Sequence, residues 1–371
     1  MELKKYTIKE IPFKNLYGRV FEDTDAFAMF SNGYAIEVAV TGSEFIIDLE
    51  SDFDTMDIWV AYEINGSFIG RMMLTSGNPS ICLFRNMDPN AVKHVKFYRE
   101  TQAMNGEEHC SLLAVSVRSD GEFKPVDAKN IRIEFIGDSI TTGEGTFGAK
   151  NDMDWVPMYM SFTNTYPKMI CDSLNADYHI ISQSGWGVFT GWDNDFRHNI
   201  PSIYEKVCGV GCGEVNEKYG SLKEYDFNWQ PDIIIVNLGT NDSGSFKQPE
   251  FVNPDTKARN KMRTDEEGEP LREDVLKIEK AVEDFLETLR KRNPEAFIIW
   301  AYGMVGYDMT DCINEAINAY KLKANDRKVA YLGLIDTDSD KEGSRMHPGI
   351  EAHKMTAYTL TEYISKFVLN K

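Results

Sequence analysis

The sequence predicts a two-domain chain, with an all-β sandwich over residues 1–127 followed, over residues 128–371, by an α/β domain built on a doubly wound parallel sheet. Three observations predict it. A chain of 371 residues is long enough for about two cores. Before about residue 125 the apolar residues recur with a period of two, and no helical period is found. Beyond Asn130, short buried-type strands alternate with helical segments, as in a parallel sheet with right-handed crossovers.

In the first domain Ile36, Val38 and Val40 fall on one side of a strand, and Phe45, Ile47 and Leu49 repeat the pattern with Glu44, Asp48 and Glu50 between them. Ile58, Val60, Tyr62 and Ile64 follow and end at Asn65-Gly66, a dipeptide that tolerates the positive φ of a tight hairpin turn. Further apolar runs lie at Val95 to Tyr98 and Leu112 to Val117, and such half-apolar strands are buried most simply by packing two antiparallel sheets. The proline-bearing, polar segment 123–130 reads as the linker.

In the second domain, strands are expected at Ile131 to Gly137, Tyr178 to Ser182, Asp232 to Gly239, Ala296 to Gly303 and Val329 to Asp336. The clearest helix is Glu273 to Arg290, where Leu276, Ile278, Val282, Phe285, Leu286 and Leu289 form one apolar stripe. Residues 246–272 are polar and read as a long loop over the carboxyl edge of the sheet.

Composition excludes some partners. With 59 acidic and 40 basic residues the net charge is −19, which opposes contact with nucleic acid or an anionic membrane. No apolar run is long enough to cross a bilayer, and the amino terminus lacks a signal-peptide h-region, so the expectation is a cytoplasmic protein. The six cysteines are too dispersed for a disulfide framework. Cys208 and Cys212 lack the second Cys or His pair that a metal would need, so no metal and no cofactor is expected. The sequence leaves homo-oligomerisation open.

The stretch IEFIGDSITTGEG places Ser139 just past the first parallel strand, at the sheet edge where loops and helix N-termini converge. Acyl transfer by a serine needs a base, oxyanion donors and a group that orients the base. Other strand ends offer them: Gly185 in SGWG, Asn241 in GTND, and His347 just before the final helix. Serine can also simply cap a helix, and Asn241 can be a turn residue; four matching residues in order favour catalysis for both. Asp138, adjacent to Ser139, is expected to be structural. Trp155, Trp186 and Trp192 lie in the neighbouring loops, and Trp186 is the best candidate to stack on a bound ligand.

Ser139, Gly185, Asn241 and His347 match, one by one, the defining residues of the SGNH or GDSL-type serine hydrolases, which this arrangement resembles. The G-x-S-x-G elbow of α/β-hydrolases is absent, because Thr141 stands at its second glycine. Across nearly the whole chain, a sandwich leading into RIEFIGDSITTGEG, with FYRETQ at 97–102 and SGWGV, resembles the two-domain acetyl-xylan esterases of carbohydrate esterase family two. The resemblance implies a jelly-roll domain, a flavodoxin-like hydrolase domain and metal-free removal of acetyl groups from sugar hydroxyls. Ser139 and His347 would be catalytic, and the backbone N–H groups of Ser139 and Gly185 with the Asn241 amide would form the oxyanion hole.

One departure stands out. These hydrolases commonly carry an aspartate two or three residues before the histidine, where this chain has Arg345 and Ser344. Either a backbone carbonyl orients His347, or Asp338, Asp340 or Glu342 folds in. The expected substrate is an acetylated plant polysaccharide fragment such as a xylo-oligosaccharide. The alternatives are a lipid or thioester hydrolase on the same scaffold, or a noncatalytic sugar-binding protein.

Overall fold

The computed structural model describes residues 2–21, 24–104 and 109–369. The chain divides into two compact units. One comprises Met1–Asn130 with Trp155–Thr163 and Glu205–Asp226; the other comprises Ile131–Asp154, Asn164–Tyr204 and Phe227–Lys371.

Among the described residues, the first unit contains two antiparallel sheets. One runs Lys4–Thr7, Cys110–Ser119, Phe45–Phe53, Ser80–Phe84, with Phe27–Ala28 also paired to Cys110–Ser119. The other runs Phe123–Lys124, Ala35–Val40, Lys93–Arg99, Trp59–Ile64, Ser67–Met73, with Asn15–Tyr17 on Ala35–Val40. Asn65 and Gly66 turn the hairpin between its last two strands with φ of 54° and 74°, the pair of positive values that matches strand twist. Ala35–Val40 is buried on both faces, so even its polar position is inside. Glu37 there accepts from the Tyr17 hydroxyl and lies 3.7 Å from Lys129.

Two returning segments belong to this unit because buried and half-buried polar side chains tie them to it. Arg71 donates to the carbonyls of Met160 at 2.6 Å and Met158 at 3.0 Å, while Glu100 accepts from the backbone and hydroxyl of Thr163. Arg19 donates to the Lys206 carbonyl at 2.8 Å, and Asn216 to that of Cys110 at 3.0 Å. The FYRETQ stretch is thus structural here. Arg99 is wholly buried and donates to the carbonyls of Met29, Thr101 and Gln102, and Glu100 docks residues 161–163.

The second unit is built on five parallel strands, Ile131–Gly137, Ala176–Ser182, Ile233–Asn237, Phe297–Tyr302 and Val329–Gly333, arranged second, first, third, fourth, fifth. This is the flavodoxin-like order, whose direction reverses beside the first strand. Gly137 pairs with both Ser182 and Asn237, so the first three strands end level and deliver their following loops to one edge. Helix Tyr166–Leu174 packs against Ile350–Tyr363, and Arg272–Arg292 against Thr310–Ala324. With right-handed crossovers the reversal puts these pairs on opposite faces.

Helix Arg272–Arg292 buries Ile278, Val282, Phe285, Leu286 and Leu289 as its stripe predicts. Leu276 is exposed instead, and buried Asp274 stands inside the first turn, paired with Arg263 and Lys277. Residues 246–272 are tied down. They contain a two-stranded ribbon, Phe251–Val252 with Arg259–Asn260, and Asn194 donates to the Ser245 and Pro249 carbonyls while accepting the Met262 N–H at 2.9 Å. Among the described residues no helix is long and apolar enough to cross a membrane.

Candidate active site

Gly137 ends the first strand because no side chain fits there: a Cβ would lie 2.0 Å from Thr141 Oγ1 and 3.0 Å from the Asn237 carbonyl. Asp138 caps the short helix Ser139–Thr142, accepting the Ile140 N–H at 3.0 Å. Ser139 occupies its first position, and its own N–H donates to no protein acceptor among the described residues.

The rest of the motif, Gly143-Glu144-Gly145, receives the histidine loop. Gly143 closes the helix with φ 90°. At Gly145, with φ 69°, a Cβ would come within 2.4 Å of the Ser344 carbonyl and 2.6 Å of His347 Cβ. In the space so cleared, Ser344 donates its N–H to the Gly145 carbonyl at 3.0 Å, and Arg345 donates its N–H to that of Asp152 at 2.8 Å.

His347 Nε2 lies 2.9 Å from Ser139 Oγ, and its Nδ1 lies 2.8 Å from the backbone carbonyl of Arg345. A carbonyl only accepts, so Nδ1 carries the proton and Nε2 is left to accept from the serine hydroxyl. The orienting group is therefore a carbonyl. Asp338 and Asp340 pair with Lys341, and Glu342 pairs with Lys150 at 3.0 Å. Aiming that carbonyl takes left-handed backbone at two successive side-chain-bearing residues, Arg345 with φ 56° and Met346 with φ 57°. Each costs roughly 1–3 kcal/mol and persists only where the surroundings enforce it.

Gly185 follows the second strand with φ 80°, and its N–H also donates to no protein acceptor among the described residues. The loop beyond it is organised by one buried carboxylate. Asp242 accepts the N–H groups of Val188, Phe189 and Thr190 at 2.8, 2.8 and 3.1 Å. Gly187 is required beside it, since a Cβ would meet Asp242 Oδ2 at 2.4 Å. Asn241, one residue earlier, points its amide nitrogen at the Trp186 carbonyl, 3.0 Å away, and at Asp138 Oδ2, 3.2 Å away.

Trp186 is not open to a ligand. It is 8% exposed, and its ring stacks on His198 with centroids 5.2 Å apart. Trp192 carries the accessible indole, 49% exposed and facing the space that a Gly185 side chain would fill, while its backbone N–H donates to the Gly185 carbonyl. Trp155 belongs to the first unit. Sequence reasoning passed over Glu144 and noted Arg345 only where the usual aspartate is missing. A lone Glu between two glycines was the available signal for the first.

Burial sets the electrostatics of the site. It pushes Asp138 up to about 7, against the pull of the Ile140 N–H, and it raises Asp242 despite that residue's three N–H donors. Burial opposes ionisation of Glu144 too, yet His347, Ser184 and Arg345 together hold its carboxyl below the usual value. His353, stacked on Tyr166 in the last helix, is driven down to about 3 by burial and stays neutral. Among the described residues no group of three or more His, Cys, Asp or Glu side chains could hold a metal ion.

The family model for GDSL-like lipase/acylhydrolase matches residues 133–360. A solved structure, an acetyl xylan esterase from the rumen bacterium Butyrivibrio proteoclasticus, is 51% identical, with 98% of this chain and 99% of that one covered and a TM-score of 0.96. An acetylxylan esterase / glucomannan deacetylase of Cellvibrio japonicus is 21% identical over 96% of this chain and 89% of its own length. A cellulase/esterase of Acetivibrio thermocellus is 23% identical over 93% of this chain, which spans 38% of that longer protein. The chain therefore belongs to the GDSL-like lipase/acylhydrolase family as a carboxylic ester hydrolase, and it resembles the two-domain acetyl-xylan esterases.

Proposed function

We propose that the protein is a serine esterase that removes acetyl groups from acetylated plant polysaccharide fragments such as xylo-oligosaccharides. The observation that carries this reading is the line Arg345 carbonyl, His347 Nδ1–H, His347 Nε2, Ser139 Oγ, with both contacts under 3 Å. His347 takes the Ser139 proton as Oγ attacks the acetyl carbonyl. The tetrahedral oxyanion is bound by the N–H groups of Ser139 and Gly185, both free to donate, and by the Asn241 amide, whose longer bond to Asp138 is shared with it. The proton on Nε2 then passes to the departing sugar oxygen. Water, deprotonated in turn by His347, attacks the acetyl-serine and releases acetate.

The sugar assignment is supported by the 51% identical acetyl xylan esterase and by the exposed Trp192 beside Gly185, an indole face of the kind on which a pyranose packs. A cytoplasmic location is part of the same reading, supported by six free thiols, and fractionation of producing cells tests it.

Acetate release from acetylated xylo-oligosaccharides, run beside a p-nitrophenyl ester series of rising chain length, tests the function. Wild type should release acetate and lose activity beyond short acyl chains, and Ser139→Ala should be inactive on both. Activity confined to long chains would move the substrate to lipids or thioesters.

A further inference from the structure

The imidazolium that forms when Ser139 gives up its proton needs compensating charge, and a carbonyl supplies only a dipole. The aspartate that usually stands two or three residues before this histidine is replaced by Arg345 and Ser344. Arg345 does two things at once. Its carbonyl takes the Nδ1 proton, and its guanidinium reaches back to the turn after the nucleophile, where Nε lies 2.8 Å from Glu144 Oε1. That same oxygen is 3.9 Å from His347 Nε2, and the Glu144 side chain is only 5% exposed. Ser184, preceding Gly185, also favours the ionised form of this carboxylate.

We propose that Glu144, brought in on the turn following Ser139 and held by Arg345, is the counter-ion of His347 and occupies the electrostatic role of the missing aspartate. It acts from the opposite side of the ring: a triad aspartate contacts Nδ1, whereas Glu144 lies beside Nε2, where the transferred proton arrives. In the transfer, the Ser139 O–H bond breaks and an Nε2–H bond forms. The Nδ1 proton stays with the Arg345 carbonyl, and no proton moves to Glu144. Glu144 is thus a positioning and charge-compensating residue rather than a member of the proton relay.

The surrounding charges fit this role. Arg345 anchors the carboxylate. Asp138 feels the charge of both Glu144 and Asp242, and burial disfavours ionisation of the two aspartates. His353 approaches from the last helix and is neutral. Asp338, Asp340 and Glu342 are engaged with lysines. At Glu144, by contrast, burial is outweighed by the imidazole, the serine and the arginine, so the charge persists.

This inference rests on the Ser139–His347 reading, and the experiment separates the two. The pH dependence of kcat/KM for p-nitrophenyl acetate is measured for wild type, Ser139→Ala, Glu144→Gln and Glu144→Asp. Glutamine keeps the shape and the acceptor for Arg345 but removes the charge, so the histidine holds its proton less tightly and is a weaker base. The acid limb should move to lower pH by about one unit, the lower end of the effect of an opposite charge at this range, and kcat should fall about tenfold with KM little changed. Glu144→Asp, which retains the charge, should return the limb toward its wild-type position, a rescue that a merely structural role would not produce. An acid limb left in place in Glu144→Gln, with kcat within about twofold of wild type, would overturn the role of Glu144. Full activity in Ser139→Ala would instead overturn the dyad itself.

Discussion

The two loops that flank Ser139 reach it by opposite means. Residues 183–192 are organised by drawing backbone N–H groups toward one buried anion, Asp242, which takes three of them and leaves the Gly185 N–H unspent. Residues 337–349 are organised around an acceptor. There the chain must turn a carbonyl toward an imidazole, and it does so through consecutive left-handed residues, Arg345 and Met346, locked by bonds to Gly145 and Asp152. An oxyanion needs donors and a histidine Nδ1–H needs an acceptor, so the two loops present opposite faces of the peptide unit. One is ordered by a carboxylate, the other by enforced strain.

Three substitutions break or sharpen this contrast. The largest effect is expected at Asn241. Its amide is aligned by the Trp186 carbonyl and by Asp138, and Asn241→Ala should lower kcat by a factor on the order of hundreds while leaving the melting temperature nearly unchanged. An unaltered kcat would remove Asn241 from the oxyanion site. Next is Asp242→Asn, which sets an amide NH2 against backbone N–H donors in a fully buried position. Unfolding in urea should show a loss of about 2 kcal/mol. Stability equal to wild type would mean that the loop holds itself without the anion.

The smallest effect is expected in the other loop and has the opposite sign. Met346 is 66% exposed with φ 57°, so Met346→Gly relieves strain and sacrifices little burial. Because glycine also loosens the unfolded chain, the gain in unfolding free energy should be under about 1 kcal/mol. Chemical denaturation would decide this, and a clear loss of stability would show that the left-handed turn is not strained.

Some of the site was legible in the residues alone. Ser139, Gly185 and Asn241 could be read because each follows a run of apolar residues that ends in a glycine or polar break, and strand ends of a parallel sheet must share an edge; His347 could be read because it stands just before the final helix. The tryptophans were not legible. Trp186 and Trp192 both sit in the loop after the second strand, and only the stacking of Trp186 on His198 determines which of them faces outward. FYRETQ pointed to a family but not to its physical task, which is to hold segments distant in sequence.

By itself the sequence determined the fold class, the strand order's raw material and the four residues of the candidate site, because side-chain period and chain-breaking residues act locally. Tertiary structure alone decided that segments 155–163 and 205–226 join the sandwich unit, that the Arg345 carbonyl orients His347, and that Glu144 stands beside its ring. Those outcomes depend on which loops meet across some 200 residues of chain, as in the 201-residue separation of Glu144 and Arg345. No spacing rule encodes such a meeting. It is set by the packing of glycines against a neighbouring backbone and by the charge that a buried carboxylate must find.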